Sequence, residues 1–157
     1  MKKIAVIYYS RTGNTKAMAK ILADSINETK DVNAELFDVS DFEVKDMPSY
    51  DGFIIGSPTY YGDMSYEVKK LFDESVSFHG KLRGKVGAAF SSAANIAGGN
   101  ETTILSIINA MLIHGMIVLG VESGDHYGPV AIGRPDERAT KQCKEFAQRI
   151  AELVKKL

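Results

Sequence analysis

Short apolar runs of strand length alternate with longer stretches of helical periodicity along the whole chain. The first run, residues 4–9 with the sequence IAVIYY, is continuously β-prone, which is typical of a strand buried on both faces of a sheet. The runs cover residues 4–9, 34–39, 53–56, 86–90 and 116–121, and the helical stretches cover 16–28, 68–75, 102–113 and 137–156. Because strands and helices alternate, we predict an α/β fold, a parallel sheet with helices on both faces.

The size and charge of the chain exclude several classes of protein. Its 157 residues suffice for one domain whose core needs no covalent staples. Nineteen lysines and arginines stand against twenty aspartates and glutamates, and this net charge of −1 excludes a chain that coats nucleic acid through bulk positive charge. The single cysteine, Cys143, excludes an internal disulfide and lies on the apolar face of the last helix, where we expect an inert core thiol.

The apolar segments are too short for a membrane or export role. No stretch reaches the ~20 apolar residues that span a bilayer. The run after the basic N-terminus ends at Ser10 and Arg11 without a cleavage-like site. We therefore expect a soluble, cytoplasmic protein with no membrane insertion.

The loop after the first strand carries the strongest functional signal. Ligands of such sheets bind beyond the carboxyl ends of the strands. Three hydroxyls, an amide and a permissive glycine at the start of a helix are suited to a phosphate group, with two basic side chains nearby. Plain helix capping is the alternative, but one cap needs one hydroxyl and this loop has three. The loop consists of Ser10, Arg11, Thr12, Gly13, Asn14 and Thr15.

The same loop excludes other kinds of phosphate and metal site. No Gly-Lys-Ser/Thr follows at the Walker A spacing, and no G-x-G-x-x-G follows the first strand. The loop has no cysteine that would act as the nucleophile of a phosphatase. The acidic cluster that holds a metal ion in response-regulator receivers is also missing.

Three further loops follow strands and complete the candidate site. Adjacent tyrosines in the second loop favour stacking on a planar ring, and ordinary rim aromatics are the alternative; this loop includes Pro58, Thr59, Tyr60, Tyr61 and Gly62. Small residues in the third loop permit close approach to a flat ligand or form a flexible connection; they are Ser91, Ser92, Ala93, Ala94, Asn95, Ile96, Ala97 and Gly98. The fourth loop, residues 122–134, is long enough to be a functional cover.

Together these loops resemble those of the flavodoxin superfamily, whose phosphate loop T/S-x-T-G-N-T is matched by residues 10–15. The closer similarity is to the tryptophan-repressor-binding-protein-like NAD(P)H:quinone oxidoreductases. Residues 56–65 resemble their G-T/S-P-T-R/Y-F/Y-G-N-M loop, and residues 90–92 with 98–102 resemble their F-S-S…G-G-Q-E-T segment. Residues 114–116 resemble their H-G-M, and residues 127–128 resemble their late Y-G. The resemblance implies one flavodoxin-like FMN-binding domain over residues 1–157, with a three-layer, doubly wound sheet of five parallel strands in the order 2-1-3-4-5.

The resemblance also implies a role for each matched position. Ser10 and residues 12–15 would hold the FMN phosphate, residues 59–61 would line the isoalloxazine ring, and residues 91–97 would contact the ring edge and the ribityl chain. The cofactor-binding positions also include Arg11, Pro58, Gly62 and Gly98. His114 would lie near the flavin of the same or a neighbouring subunit, and Tyr127 belongs to the late Y-G motif.

Flavin chemistry requires no catalytic triad and no metal, because the cofactor carries the reaction. The resemblance predicts NAD(P)H-dependent reduction of a quinone-like or other small acceptor through bound FMN. A flavodoxin-type carrier of electrons between protein partners is the alternative, and an FMN-sensing module is a third class. The helix of residues 104–113 is apolar nearly all round, so we expect its outer side to meet a second subunit in a homo-oligomer, a dimer or a tetramer.

Overall fold

A computed structural model describes residues 1–157 and contains one parallel sheet covered by helices. Its strands are β1 (Lys2–Tyr8), β2 (Val32–Asp38), β3 (Gly52–Pro58), β4 (Val86–Ala93), β5 (Ile117–Val118) and β6 (Val130–Ile132). Its helices are α1 (Asn14–Asn27), α2 (Tyr66–Glu74), α3 (Asn100–Ile113) and α4 (Glu137–Lys156), with 3₁₀ helices at Val44–Ser49 and Ser75–Phe78. The order β2-β1-β3-β4-β5 confirms the predicted α/β fold and strand order.

The central strands are buried because each face of the sheet is covered by two helices. Successive side chains of a strand point to opposite faces, so Ile4 of β1 packs in the cluster beneath α1 and α4. Its neighbour Ala5 packs in the cluster beneath α2 and α3. This two-sided burial is the reason that the strands appear in the sequence as continuous apolar runs rather than as alternating ones.

The predicted fifth strand, residues 116–121, is wrong in its extent. β5 has two residues, which pair with Val86 and Gly87 at the start of β4. β4 itself continues past the predicted end at Phe90 to Ala93, so its outer half needs a second partner for its backbone groups. β6 supplies this partner by pairing with residues 91–93. The sheet therefore has a split fifth position, and Ser91 and Ser92 lie in a strand rather than in a loop.

Residues 119–129, which we call the β5–β6 insertion, cross close to β4. Gly128 has a φ of 138°, and a β-carbon at this position would collide with the carbonyl oxygen of Ala89. The Pro129 carbonyl accepts a hydrogen bond from the Ser91 N–H at 3.1 Å. Only glycine allows the insertion to approach the strand this closely.

Two further expectations concern Cys143 and membrane spans. Cys143 is fully buried in α4, which confirms its predicted core position, and burial raises the pKa of its thiol to about 12. None of the helices combines the length and the apolar character needed to cross a membrane.

Candidate functional site

A cleft of about 350 Å³ opens where the carboxyl ends of β1, β3 and β4 meet. This volume lies in the range of about 300–1,000 Å³ that is typical of ligand pockets. In the sheet β1 has β2 on one side and β3 on the other, so the strand order reverses at β1. The cleft lies at this point of reversal. The lining residues are Ser10, Arg11, Thr12, Asn14, Thr15, Pro58, Thr59, Tyr60, Ser92, Ala93 and Ala94.

One end of the cleft is the start of α1. Gly13 is the N-cap, with a φ of 99°, and no side chain caps the helix. Ser10 Oγ instead accepts a hydrogen bond from the Gly13 N–H at 3.0 Å, which shapes the loop before the helix begins. The first backbone N–H groups of α1 therefore have no partner within the helix or from a cap. Since the first turn also carries no acidic residue, this helix end is suited to an anion.

Thr15 joins this loop to the sheet. Its side chain is buried, and its Oγ1 lies 2.8 Å from the Ser92 Oγ of β4. The hydroxyl–hydroxyl contact spans 77 residues of sequence. The start of α1 and the end of β4, which both line the cleft, are thus held together.

The two tyrosines of the second loop have different environments. Tyr60 and Asp63 exchange backbone hydrogen bonds of 3.0 and 3.1 Å. Between them Tyr61 and Gly62 have φ values of 50° and 76°, which form a two-residue turn of the I′ type. The turn places Tyr60 in the cleft wall, 37% exposed, and leaves Tyr61 fully exposed at the tip.

Beneath the wall lies a network of polar side chains that sequence reasoning missed. Thr59 Oγ1 lies 2.9 Å from Ser91 Oγ, 3.0 Å from Asn100 Oδ1 and 3.1 Å from Thr103 Oγ1. Asn100 and Thr103 are buried polar residues at the start of α3, a helix that is otherwise apolar on its inner side. Two polar residues on the inner side of an apolar helix could have indicated a buried polar network. Their partner Thr59 could not be identified, because it is more than 40 residues away in sequence.

The remainder of the third loop lies beyond the cleft. The Gly98 N–H donates to the Asn95 carbonyl at 3.1 Å, which closes an exposed turn over Ile96 and Ala97. Residues 95–98 therefore rim the site, whereas Ser92, Ala93 and Ala94 line it. Contact between residues 95–98 and a ligand stays a prediction.

The structure does not bring His114 to the cleft of its own chain. α3 begins beside the cleft and has 14 residues, so at 1.5 Å per residue His114 lies roughly 20 Å away at the far end. There its Nε2 lies 2.7 Å from Ser75 Oγ. The length of the helix thus corrects the same-subunit placement, and a place near a neighbouring subunit's flavin stays a prediction.

Tyr127 lies in a second, smaller pocket. This pocket has a volume of about 120 Å³, and Glu101 at the start of α3 and His126 line it with Tyr127. The Tyr127 side chain is about half exposed. It is not among the residues that line the main cleft.

Comparisons with known proteins agree with this geometry. Residues 6–103 match the family model described as "Flavodoxin". A "Flavodoxin" of Clostridium saccharobutylicum is 36% identical over an alignment of 160 residues, gaps included, which covers 99% of each chain. An "NAD(P)H dehydrogenase (quinone)" of Archaeoglobus fulgidus is 33% identical over an alignment of 190 residues, gaps included, which covers all of both chains. The structure of a flavodoxin from the domain Archaea superposes with a TM-score of 0.81 at 30% identity and covers 98% of this chain and 99% of that one.

Flavodoxin-type sheets hold FMN at the switch point between their first and third strands, and the residues at this position fit that cofactor. The uncapped start of α1 suits the phosphate. Tyr60 provides an aromatic wall for the flavin ring. The chain therefore belongs to the flavodoxin family, and the redox cofactor that fits its cleft is FMN.

Proposed function

We propose that this flavoprotein transfers electrons from NAD(P)H to a quinone-like or other small acceptor through FMN held in the cleft. One observation carries the proposal: an uncapped helix start and an aromatic wall face the same 350 Å³ space. Hydride uptake and electron transfer would be the chemistry that bound FMN supplies. The protein supplies binding, orientation and electrostatics.

The chain's own groups have distinct tasks in this proposal. The α1 N–H groups and the hydroxyls of Ser10 and Thr12 hold the phosphate, while Tyr60 orients the ring. Thr59 is fixed from below by Ser91 and by the start of α3, so the loop that carries Tyr60 cannot shift freely. Donor and acceptor would use this cleft in turn, because the sequence has no second nucleotide fingerprint.

The choice of a small acceptor rests on charge and on relatives. A carrier that steers charged protein partners benefits from a strong net charge, whereas this chain has a net charge of −1. Its relative from Archaeoglobus fulgidus has the name of a quinone-reducing dehydrogenase. The expected homo-oligomer stays a prediction.

An electron carrier between proteins is the second candidate. The Clostridium relative named flavodoxin matches at 36% identity over 99% of both chains, so its length agrees closely with that of this chain. Residues 21–51 carry nine acidic and two basic side chains. Such a stretch is suited to docking a basic redox protein.

Steady-state turnover distinguishes the two candidates. The FMN-loaded protein is mixed with NADPH or NADH and benzoquinone, and oxidation of the nucleotide is followed by absorbance against free FMN at the same concentration. Turnover well above free FMN supports the reductase. No turnover, together with two separate one-electron steps in a reductive titration, supports the carrier. A protein that neither quenches FMN fluorescence nor retains FMN on gel filtration contradicts both.

A further inference from the structure

Tyr9 stands directly behind the aromatic wall of the cleft. It follows β1, and its backbone N–H donates to the Gly56 carbonyl of β3 at 3.2 Å. Its ring meets the ring of Tyr60 edge to face, with centroids 6.3 Å apart and an interplanar angle of 73°. Because Tyr9 is half-buried and anchored to the sheet, its ring fixes one side of Tyr60.

Glu67 lies on the other side of Tyr9. It belongs to the first turn of α2, and its Oε2 is buried without a hydrogen-bond partner. Glu67 forms no ion pair. Lys70, which lies one turn further along the helix, pairs with Glu74 instead. A buried acceptor without a partner is unfavourable for stability, and native chains retain such groups mainly where they serve a function.

The Tyr9 hydroxyl is close to this carboxyl. Burial is the main cause that raises the pKa of Tyr9, and the neighbouring Glu67 carboxyl and Tyr60 raise it further. Tyr9 therefore keeps its proton, so its hydroxyl is a donor available to this carboxyl. Tyr9 thus neighbours both Tyr60 in the cleft wall and Glu67 of α2.

We propose that Glu67 and Tyr9 are a positioning pair, which holds Tyr60 against FMN and places a negative charge behind the ring. The inference rests on the proposed function, because it assumes FMN in the cleft. A negative charge in a partly buried place opposes the arrival of further negative charge nearby. The pair therefore lowers the reduction potential of bound FMN.

Substitution of Glu67 tests whether a local charge, rather than the net charge of the protein, affects the midpoint potential of bound FMN. Glu67→Gln keeps an acceptor of the same shape and removes the negative charge, and the matched control Glu74→Gln removes an exposed carboxyl at the other end of α2. We expect Glu67→Gln to shift the midpoint potential of bound FMN to more positive values, and Glu74→Gln to leave it unchanged. The potentials are measured by equilibration with redox dyes.

Substitution of Tyr9 tests the positioning of Tyr60. Tyr9→Phe keeps the ring and removes the hydroxyl, and the exposed Tyr66→Phe is its control. We expect Tyr9→Phe to weaken FMN binding at least threefold by fluorescence titration, with Tyr66→Phe unchanged. This variant also serves if Glu67→Gln fails to fold.

The outcomes separate the inference from the proposed function. Equal potentials for Glu67→Gln and Glu74→Gln, or unchanged FMN affinity in Tyr9→Phe, overturn the inference alone. Failure of the unaltered protein to bind FMN contradicts the proposed function and removes the basis of the inference.

Discussion

Tyr61 has a backbone conformation that bulky residues rarely adopt. Its φ of 50° is usual for glycine or asparagine in a type I′ turn. The left-handed region costs a residue with a β-carbon roughly 1–2 kcal/mol, yet the Tyr61 ring makes no compensating packing because it is fully exposed. Strained residues cluster where chains bind ligands. We therefore expect the Tyr61 ring, beside the cleft wall, to act on a ligand rather than on the fold.

Replacing Tyr61 by glycine should therefore separate binding from stability. We expect Tyr61→Gly to change the free energy of unfolding by less than about 1 kcal/mol, because relief of strain offsets the greater unfolded-state freedom of glycine. FMN affinity should fall at least threefold. Urea unfolding and fluorescence titration measure the two quantities, and equal FMN affinity would show that Tyr61 has no part in binding.

At the scale of elements, the β5–β6 insertion is fastened to α4 by two carboxyl–arginine pairs. Asp125 accepts from Arg138 Nη1 at 2.8 Å and from the Val130 N–H of β6 at 2.9 Å, with its side chain 14% exposed. Glu122 accepts from both terminal nitrogens of Arg149 at 2.6 and 2.8 Å. Both partners of this second pair are open to solvent. The two pairs therefore look alike in geometry and differ in burial.

Burial should decide which pair stabilises the fold. Asp125→Ala leaves the Val130 N–H without its acceptor and leaves Arg138 with the Val130 carbonyl alone, so we expect a loss of about 1–3 kcal/mol in the free energy of unfolding. Glu122→Ala should leave it unchanged. Arg149 holds the pKa of Glu122 at about 2, but solvent screens an exposed pair. Urea unfolding of both variants is the measurement, and an equal loss in each would contradict the argument.

We expect the end of α3 to make the free energy of unfolding depend on pH in the mildly acidic range. Burial, and then the nearby His79, lower the pKa of His114 below its ordinary value of 6.5. The unfolded chain takes up this proton at the ordinary pKa, so the free energy of unfolding falls as the pH drops below about 6.5. We expect His114→Gln to remove this fall between about pH 6.5 and pH 5, and His126→Gln, on an exposed loop, to retain it. Urea unfolding at a series of pH values provides the test; identical slopes in all three proteins would refute it.

Elements with a local signal were predictable from the sequence, and those that depend on distant pairing were not. The hydroxyls of residues 10–15 lie beside one another in sequence, and the first four strands follow from their apolar runs. β6 has three residues, too few to show a periodicity. The contacts between Thr59 and Asn100 and between Tyr9 and Glu67 join residues that only the folded sheet brings together. The distance of His114 from the cleft of its own chain was also not predictable, since a motif match does not report the length of the helix before it.

At the scale of the whole molecule, the cleft walls come from three separate segments, residues 10–15, 58–60 and 92–94. These segments meet only when β1, β3 and β4 are paired. A ligand of this cleft therefore binds the folded chain and not the unfolded one. Such a ligand stabilises the fold as its concentration rises.

FMN should accordingly raise the melting temperature in a concentration-dependent way. At 100 times its dissociation constant, a ligand contributes about 2.7 kcal/mol. Riboflavin, which lacks the phosphate, should raise the melting temperature less than FMN does. Thr12→Ala combined with Thr15→Ala should reduce the advantage of FMN over riboflavin, since the α1 N–H groups and Ser10 remain, and Thr29→Ala, beyond the far end of α1, should preserve it in full. Calorimetry measures these shifts, and equal effects of the two flavins on the unaltered protein would place the phosphate elsewhere.

The split fifth position also makes the chain a scaffold for engineering. Residues 122–124 are exposed, while the chain on either side of them is held by β5 and β6. A guest domain inserted between Ser123 and Gly124 would leave both strands in place. Asn100 connects β6 to the cleft, since its Nδ2 donates to the Ala131 carbonyl at 3.4 Å and its Oδ1 accepts from Thr59. A guest that changes shape on binding its own analyte would thus act on the floor of the flavin cleft, and flavin fluorescence would serve as the signal of a biosensor.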